Sequence, residues 1–216
     1  MNCVGYKFFD KEKTRRSAEV LHMNQGEKLD SFRARCESNG FECVDKRNVI
    51  DRYKLMSDDL IIGDLNERRF NFSVFLQNLA GDFNKASVIR SNNAFCGKEV
   101  IIFGDKQWDK RGACGSYKYE QFRHVKELSE LNGLFEEYDE VIAIDNIATA
   151  VPIQHHQWDN DKNTLFVFGE EGIGICPEIL QKCDVTLYIP QFGAIRSINV
   201  ACAASIIMYE YTRSYS

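Results

Sequence analysis

Leu165-Phe-Val-Phe-Gly-Glu-Glu-Gly-Ile-Gly174, Cys183-Asp-Val-Thr-Leu-Tyr-Ile-Pro190 and Gly193-Ala-Ile-Arg-Ser-Ile-Asn199 follow one another in the last third of a 216-residue chain. Leu165 to Phe168 and Val185 to Ile189 are short apolar runs bounded by turn residues, the pattern of strands buried on both faces of a parallel sheet. Each run delivers its C-terminal end into a polar loop, and Val200 to Tyr209 then takes up helical spacing. In open α/β sheets ligands bind beyond the strand C-termini, so Gly169 to Gly174 and Ile189 to Asn199 are the expected walls of a site. The spacing Gly-x-x-Gly-x-Gly is neither the dinucleotide fingerprint nor a phosphate loop, which weighs against a nicotinamide cofactor. Two readings of these glycines stay open: a tight strand-to-helix turn, or close approach of backbone groups to a ligand with Glu170 and Glu171 at the rim.

Upstream, Phe72 to Leu79 reads as a strand, Gly81-Asp82 as a turn, Asn84 to Phe95 as a helix and Glu99 to Gly104 as a second strand. That βαβ unit implies parallel pairing. Leu128 to Tyr138 is expected as a helix, and Glu140 to Ile144 as a strand with Asp145-Asn146 turning at its C-terminal end. Between these elements, Lys106 to Tyr119 interleaves aromatics with Lys106, Lys110, Arg111 and Lys118, the composition of a flexible basic arm that stacks on unpaired bases. The same loop would serve as an ordinary connection packed on the body. The adjacent His155 and His156 have no partner at ligand spacing and read as a surface pair.

Phe168-Gly-Glu-Glu-Gly-Ile-Gly174, Ile189-Pro190 and Gly193-Ala-Ile-Arg-Ser-Ile-Asn-Val200 resemble the second and third signature motifs of the SpoU, or TrmH-like, branch of the SPOUT RNA methyltransferases. Asn84-Lys-Ala-Ser-Val-Ile-Arg90 is similar to the first, and the likeness covers roughly residues 72 to 212. It implies an α/β fold with a mostly parallel sheet, helices on both faces and a C-terminal trefoil knot. It further implies S-adenosylmethionine as cofactor, cradled by Asp145, Gly169, Gly172, Ile189 and Ile198, where Ile198 stands in place of a more usual leucine. The implied reaction is methyl transfer to a ribose 2′-hydroxyl of tRNA or rRNA, with Asn84, Arg90, Glu171, Ser197 and Asn199 in the site and Lys106, Lys110, Arg111 and Lys118 on the RNA. Arginine does not deprotonate in proteins, so Arg90 is read as a cation stabilising developing oxyanion charge, with Glu171 orienting Arg90 or the RNA. Ser197 and Asn199 are also strong helix starters, and capping alone would account for them. A SPOUT base methyltransferase and a catalytically inactive RNA-binding relative are the competing readings. The final helix is expected in a homodimer interface.

Composition adds boundaries. No run approaches the length of a membrane span and the N-terminal residues lack a signal-peptide layout, so a soluble, cytoplasmic protein is expected. The eight cysteines include no Cys-x-x-Cys pair and lie partly in apolar runs, among them Cys96, Cys176, Cys183 and Cys202, which suits reduced, mostly buried thiols and no metal site. A net charge of −5 disfavours a wholly basic nucleic-acid surface. Its distribution is uneven: residues 1–70 carry 14 Lys and Arg against 13 Asp and Glu, whereas residues 71–216 carry 13 against 19. The chain therefore reads as a small α/β N-terminal extension, residues 1–70, of αα/β/α pattern and a candidate RNA-recognising module, followed by a methyltransferase domain over residues 71–216. In that extension Ser17 to Met23 and Glu27 to Cys36 have helical spacing, Phe41 to Val44 alternates as a strand, and Asn48 to Met56 suits a short helix.

Overall fold

The computed structural model describes residues 7–10, 29–39, 41–45, 47–77, 82–104 and 107–214, divided into two compact units, Met1–Asp64 and Leu65–Ser216. In the first unit β1 (Lys7–Asp10) pairs antiparallel with β2 (Phe41–Val44), and α1 (Leu29–Ser38) lies between them in sequence. The charged stretch from Lys7 thus opens on a strand, with two adjacent phenylalanines favouring extended backbone. The helix expected over Ser17 to Met23 lies outside the described residues. Asn48 to Met56 forms only a 3-10 turn at Asp51–Tyr53, and a helix not anticipated, α2 (Asp58–Asn66), follows with two acids in its first turn, where the helix dipole favours them. Asp45 organises this region, accepting from Arg47 Nη2 at 2.7 Å and from the amide of Leu55 at 2.8 Å, while Arg47 Nη1 reaches Asp58 at 2.8 Å. Burial works to raise the Asp45 pKa, but the Arg47 side chain and the Leu55 and Arg47 amides outweigh it and hold the carboxyl at about 2.

The second unit is built on a seven-stranded sheet in the order β5-β4-β3-β8-β6-β9-β7. Its members are β3 (Phe72–Gln77), β4 (Val100–Phe103), β5 (Phe122–Val125), β6 (Glu140–Ile144), β7 (Val151–Pro152), β8 (Thr164–Phe168) and β9 (Val185–Tyr188), and every pairing is parallel. The central strands are apolar at successive positions because both faces are covered. Phe72, Val74, Leu76, Phe166 and Phe168 pack with α3 (Asp82–Ala94) and α6 (Val200–Arg213). Phe75, Leu165 and Val167 pack with α4 (Leu131–Phe135) and α5 (Pro177–Leu180) on the opposite face. Each such buried side chain contributes about 1.5–3 kcal/mol of transfer free energy. Tyr211, fully buried, joins Phe72, Phe166 and Trp158 in a mostly edge-to-face aromatic cluster that seats α6. No described helix is long and apolar enough to cross a membrane.

Several expectations are corrected. Leu128 to Tyr138 is a 3-10 turn (Leu128–Glu130) running into the five-residue α4, started by a Glu127/Glu130 capping box. His156 is not a surface residue: it packs edge-on against Trp158, ring centroids 4.6 Å apart, and burial lowers its pKa. Cys202 and Cys114 are exposed thiols, whereas burial pushes the Cys183 thiol up to about 12.

Charged side chains are sealed within this unit, among them Lys85, 2% exposed, and Glu120. The Glu120 carboxyl has no exposed surface; it accepts from Asn92 Nδ2 at 2.6 Å and Asn93 Nδ2 at 2.7 Å and lies 3.7 Å from Arg69. Burial raises its pKa to about 7 against the pull of Asn93 and Arg69. A carboxyl whose folded pKa exceeds its unfolded one stabilises the fold most when protonated in both states, and that contribution fades as pH rises through the folded value. Thermal unfolding of the wild type relative to Glu120→Gln should therefore show a Tm difference that moves against the wild type between pH 4.5 and about 7. A pH-independent difference would mean that Arg69 keeps the group ionised throughout.

Candidate functional site

β3 and β8 lie side by side with Leu76 opposite Phe168, so the segments following both strands leave the sheet together. Gln77, 4% exposed at the end of β3, fastens what comes after β8: its Nε2 donates to the Gly174 carbonyl at 3.3 Å and its Oε1 accepts from the Cys176 amide at 2.8 Å. Between them Glu170 and Gly174 exchange backbone hydrogen bonds of 3.1 and 2.9 Å, closing a hairpin with Glu171, Gly172 and Ile173 exposed at its tip.

The glycines of this hairpin answer the question their spacing left open. A Cβ on Gly169 would stand 2.2 Å from the backbone carbon of Gly174, so glycine is required for the hairpin to close on itself. Gly174 has φ +76°, and a Cβ there would meet Asp145 Oδ2 at 2.6 Å. Gly172 has open space around it. The first two therefore serve chain-to-chain approach.

Asp145, at the end of β6, is a brace. Its Oδ2 accepts from the Ile175 amide at 3.1 Å and its Oδ1 from the Asn146 amide at 2.7 Å. Asn146 in turn donates from Nδ2 to the Arg196 carbonyl at 3.0 Å, tying the loop after β6 to the loop after β9. Between those two loops is a cavity of about 430 Å³ walled by Asn146, Ile147, Tyr188, Ile189, Ile195 and Arg196. Of the expected cofactor residues, Ile189 lines this cavity and Asp145 supports its wall; Ile198 is 37% exposed on the segment leading to α6. The apolar Ile147, Ile189 and Ile195 beside the polar Asn146, Tyr188, Gln191 and Arg196, at this volume, suit a ligand the size of a nucleoside with a charged tail.

Of the five expected catalytic residues, three meet. Asn84, in the first turns of α3, donates from Nδ2 to Glu171 and accepts on Oδ1 from Asn199 Nδ2 at 2.9 Å. Asn199 is at the same time the N-cap of α6, its Oδ1 accepting from Ala201 N at 2.9 Å and Cys202 N at 3.4 Å. Arg90 stays outside this cluster. Six positions beyond Asn84 on a helix of about 3.6 residues per turn, it does not share that residue's face. Its Nη1 donates to Cys114 Sγ at 3.3 Å, so Glu171 is held by Asn84 and not by Arg90. Ser197 is exposed and hydrogen-bonds none of the described residues.

The segment expected as a flexible basic arm is folded over its described part. Lys110–Ala113 and Ser116–Tyr119 are 3-10 turns joined through Cys114 (φ 50°) and Gly115 (φ 90°). A Cβ on Gly112 would lie 2.8 Å from Ala86 of α3, the close approach that seats this segment. Lys110 and Lys118 are exposed, Arg111 is paired with Asp109, and Lys106 lies outside the described residues. Sequence reasoning missed Gln77, Asn146 and Arg196; nothing in residue type or spacing marks them, because each acts through backbone groups distant in the chain.

A family model described as the SpoU rRNA Methylase family matches residues 71–209. A tRNA (guanosine(18)-2'-O)-methyltransferase of Aquifex aeolicus is 28% identical over 156 residues, covering 69% of this chain and 72% of that one. A 23S rRNA (guanosine-2'-O-)-methyltransferase of Acinetobacter baylyi is 41% identical over 64 residues, which is 30% of this chain and spans only 25% of that relative. The solved structure of the SpoU methyltransferase AviRb from Streptomyces viridochromogenes, in complex with AdoMet, matches with a TM-score of 0.60 at 26% identity, covering 75% of this chain and 63% of that one.

Loss of the cap in Asn199→Ala should lower stability by about 1 kcal/mol, and Asn199→Asp, which still accepts from the helix amides, should recover most of it. Chemical denaturation of the three chains would test this; equal losses for both variants would show that the contact to Asn84, not the cap, carries the effect.

Proposed function

Since this chain belongs to the SpoU rRNA Methylase family, we propose that it transfers a methyl group from S-adenosylmethionine to a ribose 2′-hydroxyl of tRNA or rRNA. The observation that carries this reading is the junction of Asn84, Glu171 and Asn199, one residue from each of three separate segments. The two relatives named above are both RNA 2′-O-methyltransferases by name, and the AviRb structure holds AdoMet. S-adenosylmethionine supplies the methyl group on a sulfonium that is its own leaving group, so the protein has chiefly to position an oxygen in line and manage its proton.

The cavity beside Ile189 is the assigned cofactor site, with Asp145 and Asn146 holding its two loops in register. Gly169, Gly172 and Ile198 shape the approach to it, and the C-terminal segment is taken to thread as a trefoil knot. Arg90 binds phosphate and stabilises charge growing on the ribose oxygen, a role its permanent cation suits. Glu171 has Oε1 engaged by Asn84, which leaves Oε2 to accept the hydroxyl proton. Asn84 fixes the position of that carboxylate, and Ser197 lines the ribose approach. Lys106, Lys110, Arg111 and Lys118 supply the basic contacts to RNA that the net acidic charge otherwise lacks. Residues 1–70 act as an appended RNA-recognising module, and the protein works in the cytoplasm as a homodimer. The surface assigned to dimerisation is the outer side of α6, where Ile206 is 39% and Tyr209 56% exposed.

Incubation with methyl-labelled S-adenosylmethionine and total RNA, followed by alkaline hydrolysis, should leave the label in alkali-resistant dinucleotides. Label in mononucleotides would establish base methylation instead, and cofactor binding without label on any RNA would favour an inactive relative. Arg90→Ala should reduce the ribose-methylation rate by about 100-fold or more, and an unchanged rate would remove Arg90 from the chemistry. Light scattering should give twice the monomer mass for the wild type and a smaller mass for Ile206→Glu; a strictly monomeric wild type would refute the dimer.

A further inference from the structure

A second cavity, larger than the one beside Ile189, is lined by none of the motif residues. It measures about 630 Å³ and lies along the outermost strand, lined by Trp108, Tyr117, Phe122 and His124 together with Ile102, Gln107, Lys110 and Arg123. It shares no lining residue with the cavity beside Ile189. Three features set its chemistry. Its apolar lining is aromatic but for Ile102: Trp108 stands edge-on to Tyr117 at 5.9 Å and tilted over Phe122 at 6.1 Å, and Phe122 is 41% exposed. Its cations include Lys110, whose ammonium lies 5.2 Å from the centre of the Tyr117 ring and makes no ion pair with a described residue, and among the described residues no acidic side chain lines it. His124 uses Nε2 on the Gly104 carbonyl at 2.7 Å, which in the neutral ring makes Nε2 the donor and leaves Nδ1 as an acceptor.

We propose that this aromatic cavity is a docking subsite for an unpaired nucleobase of the RNA substrate, held by stacking on Trp108 and Phe122 with Lys110 at its phosphate. The proposal rests on the RNA methyltransferase reading above and adds to it a second point of contact with the strand. Aromatic side chains with the Lys110 ammonium beside them match a base and its phosphate, because every base offers a π-face and stacking needs no particular sequence. A duplex cannot present such a face to a concave site, whereas single strands and loops can. The position sets the geometry. β5 is separated from β6, whose end carries Asp145, by four strand-to-strand steps of about 4.8 Å, roughly 19 Å across the sheet. The docked base therefore lies a few nucleotides from the ribose that is methylated, on the same single-stranded segment.

Binding of a labelled single-stranded RNA of about ten nucleotides, and of the same sequence as a duplex, would be measured for the full chain and for two variants. Trp108→Leu keeps an apolar side chain against Tyr117 but removes the flat face; Trp108→Phe keeps a face. Trp108→Leu should weaken single-strand binding about tenfold or more and leave duplex binding unchanged, and Trp108→Phe should stay within about threefold of the wild type. Equal single-strand affinity for Trp108→Leu and the wild type, equal losses for both variants, or a matching loss on duplex would each overturn the subsite. S-adenosylhomocysteine binding by the same proteins separates the two readings. Wild-type binding of that ligand together with an inert Trp108→Leu change would sink the subsite alone, whereas no cofactor binding alongside a Trp108-dependent RNA affinity would sink the methyltransferase reading alone.

Discussion

The parallel pairing of β3 with β8, Phe72 opposite Thr164 through to Leu76 opposite Phe168, is the constraint on which the rest of the second unit depends. These strands are far apart in the chain, yet both are apolar on successive residues and both are covered by helices on each face. A slip of one residue would exchange the two buried faces of a strand and set its large and small side chains against the wrong layers. With the register held, β3 and β8 end on one line, and the segments leaving them start within hydrogen-bonding reach of each other. Gln77 uses that proximity, spending both ends of its amide on the backbone of Gly174 and Cys176.

What assembles the site beyond that line is a set of short polar side chains. Asp145 joins its own strand end to Ile175, Asn146 joins the same loop to Arg196, and Asn84 joins Glu171 to Asn199. A single such bond contributes only about 0.5–1.5 kcal/mol, and exposed ones less. Their effect lies in direction: each amide or carboxylate has one geometry that satisfies two partners, so three loops settle into one arrangement. The glycines at 169 and 174 make room for it, since a side chain at either position would collide with backbone or with Asp145.

The sheet's edges behave differently from its centre. β5 carries Arg123 and His124, and Arg123 is taken up by Glu99, Glu137 and Tyr138 around it. An edge strand has one flank unpaired and can bear polar residues, which is why it accommodates the aromatic cavity with Arg123 in its lining while the central strands are mostly core. The chain's acidic balance is compatible with a nucleic-acid partner on these terms, because the basic and aromatic groups concentrate along the segment from Gln107 to Tyr119 and the strand beside it.

The amino-acid sequence by itself determined the elements whose burial leaves a pattern. Phe72 to Gln77, Val100 to Phe103, Glu140 to Ile144, Thr164 to Phe168 and Val185 to Tyr188 are strands within a residue or two of where their apolar runs stop, and α3 and α6 fall where helical spacing and Asn199 place them. The same residues carried the resemblance to the SpoU family. Left to the tertiary structure were β5 and β7, too polar or too short to show a period, and the shortened α4. So were the partners of Gln77, Asp145 and Asn84, and the separation of Arg90 from Glu171. The physical reason is the range of the forces involved. Apolar periodicity is a local signal, written wherever a strand or helix buries a face, whereas a hydrogen bond between residues some ninety positions apart exists only after the sheet has set both strand ends side by side.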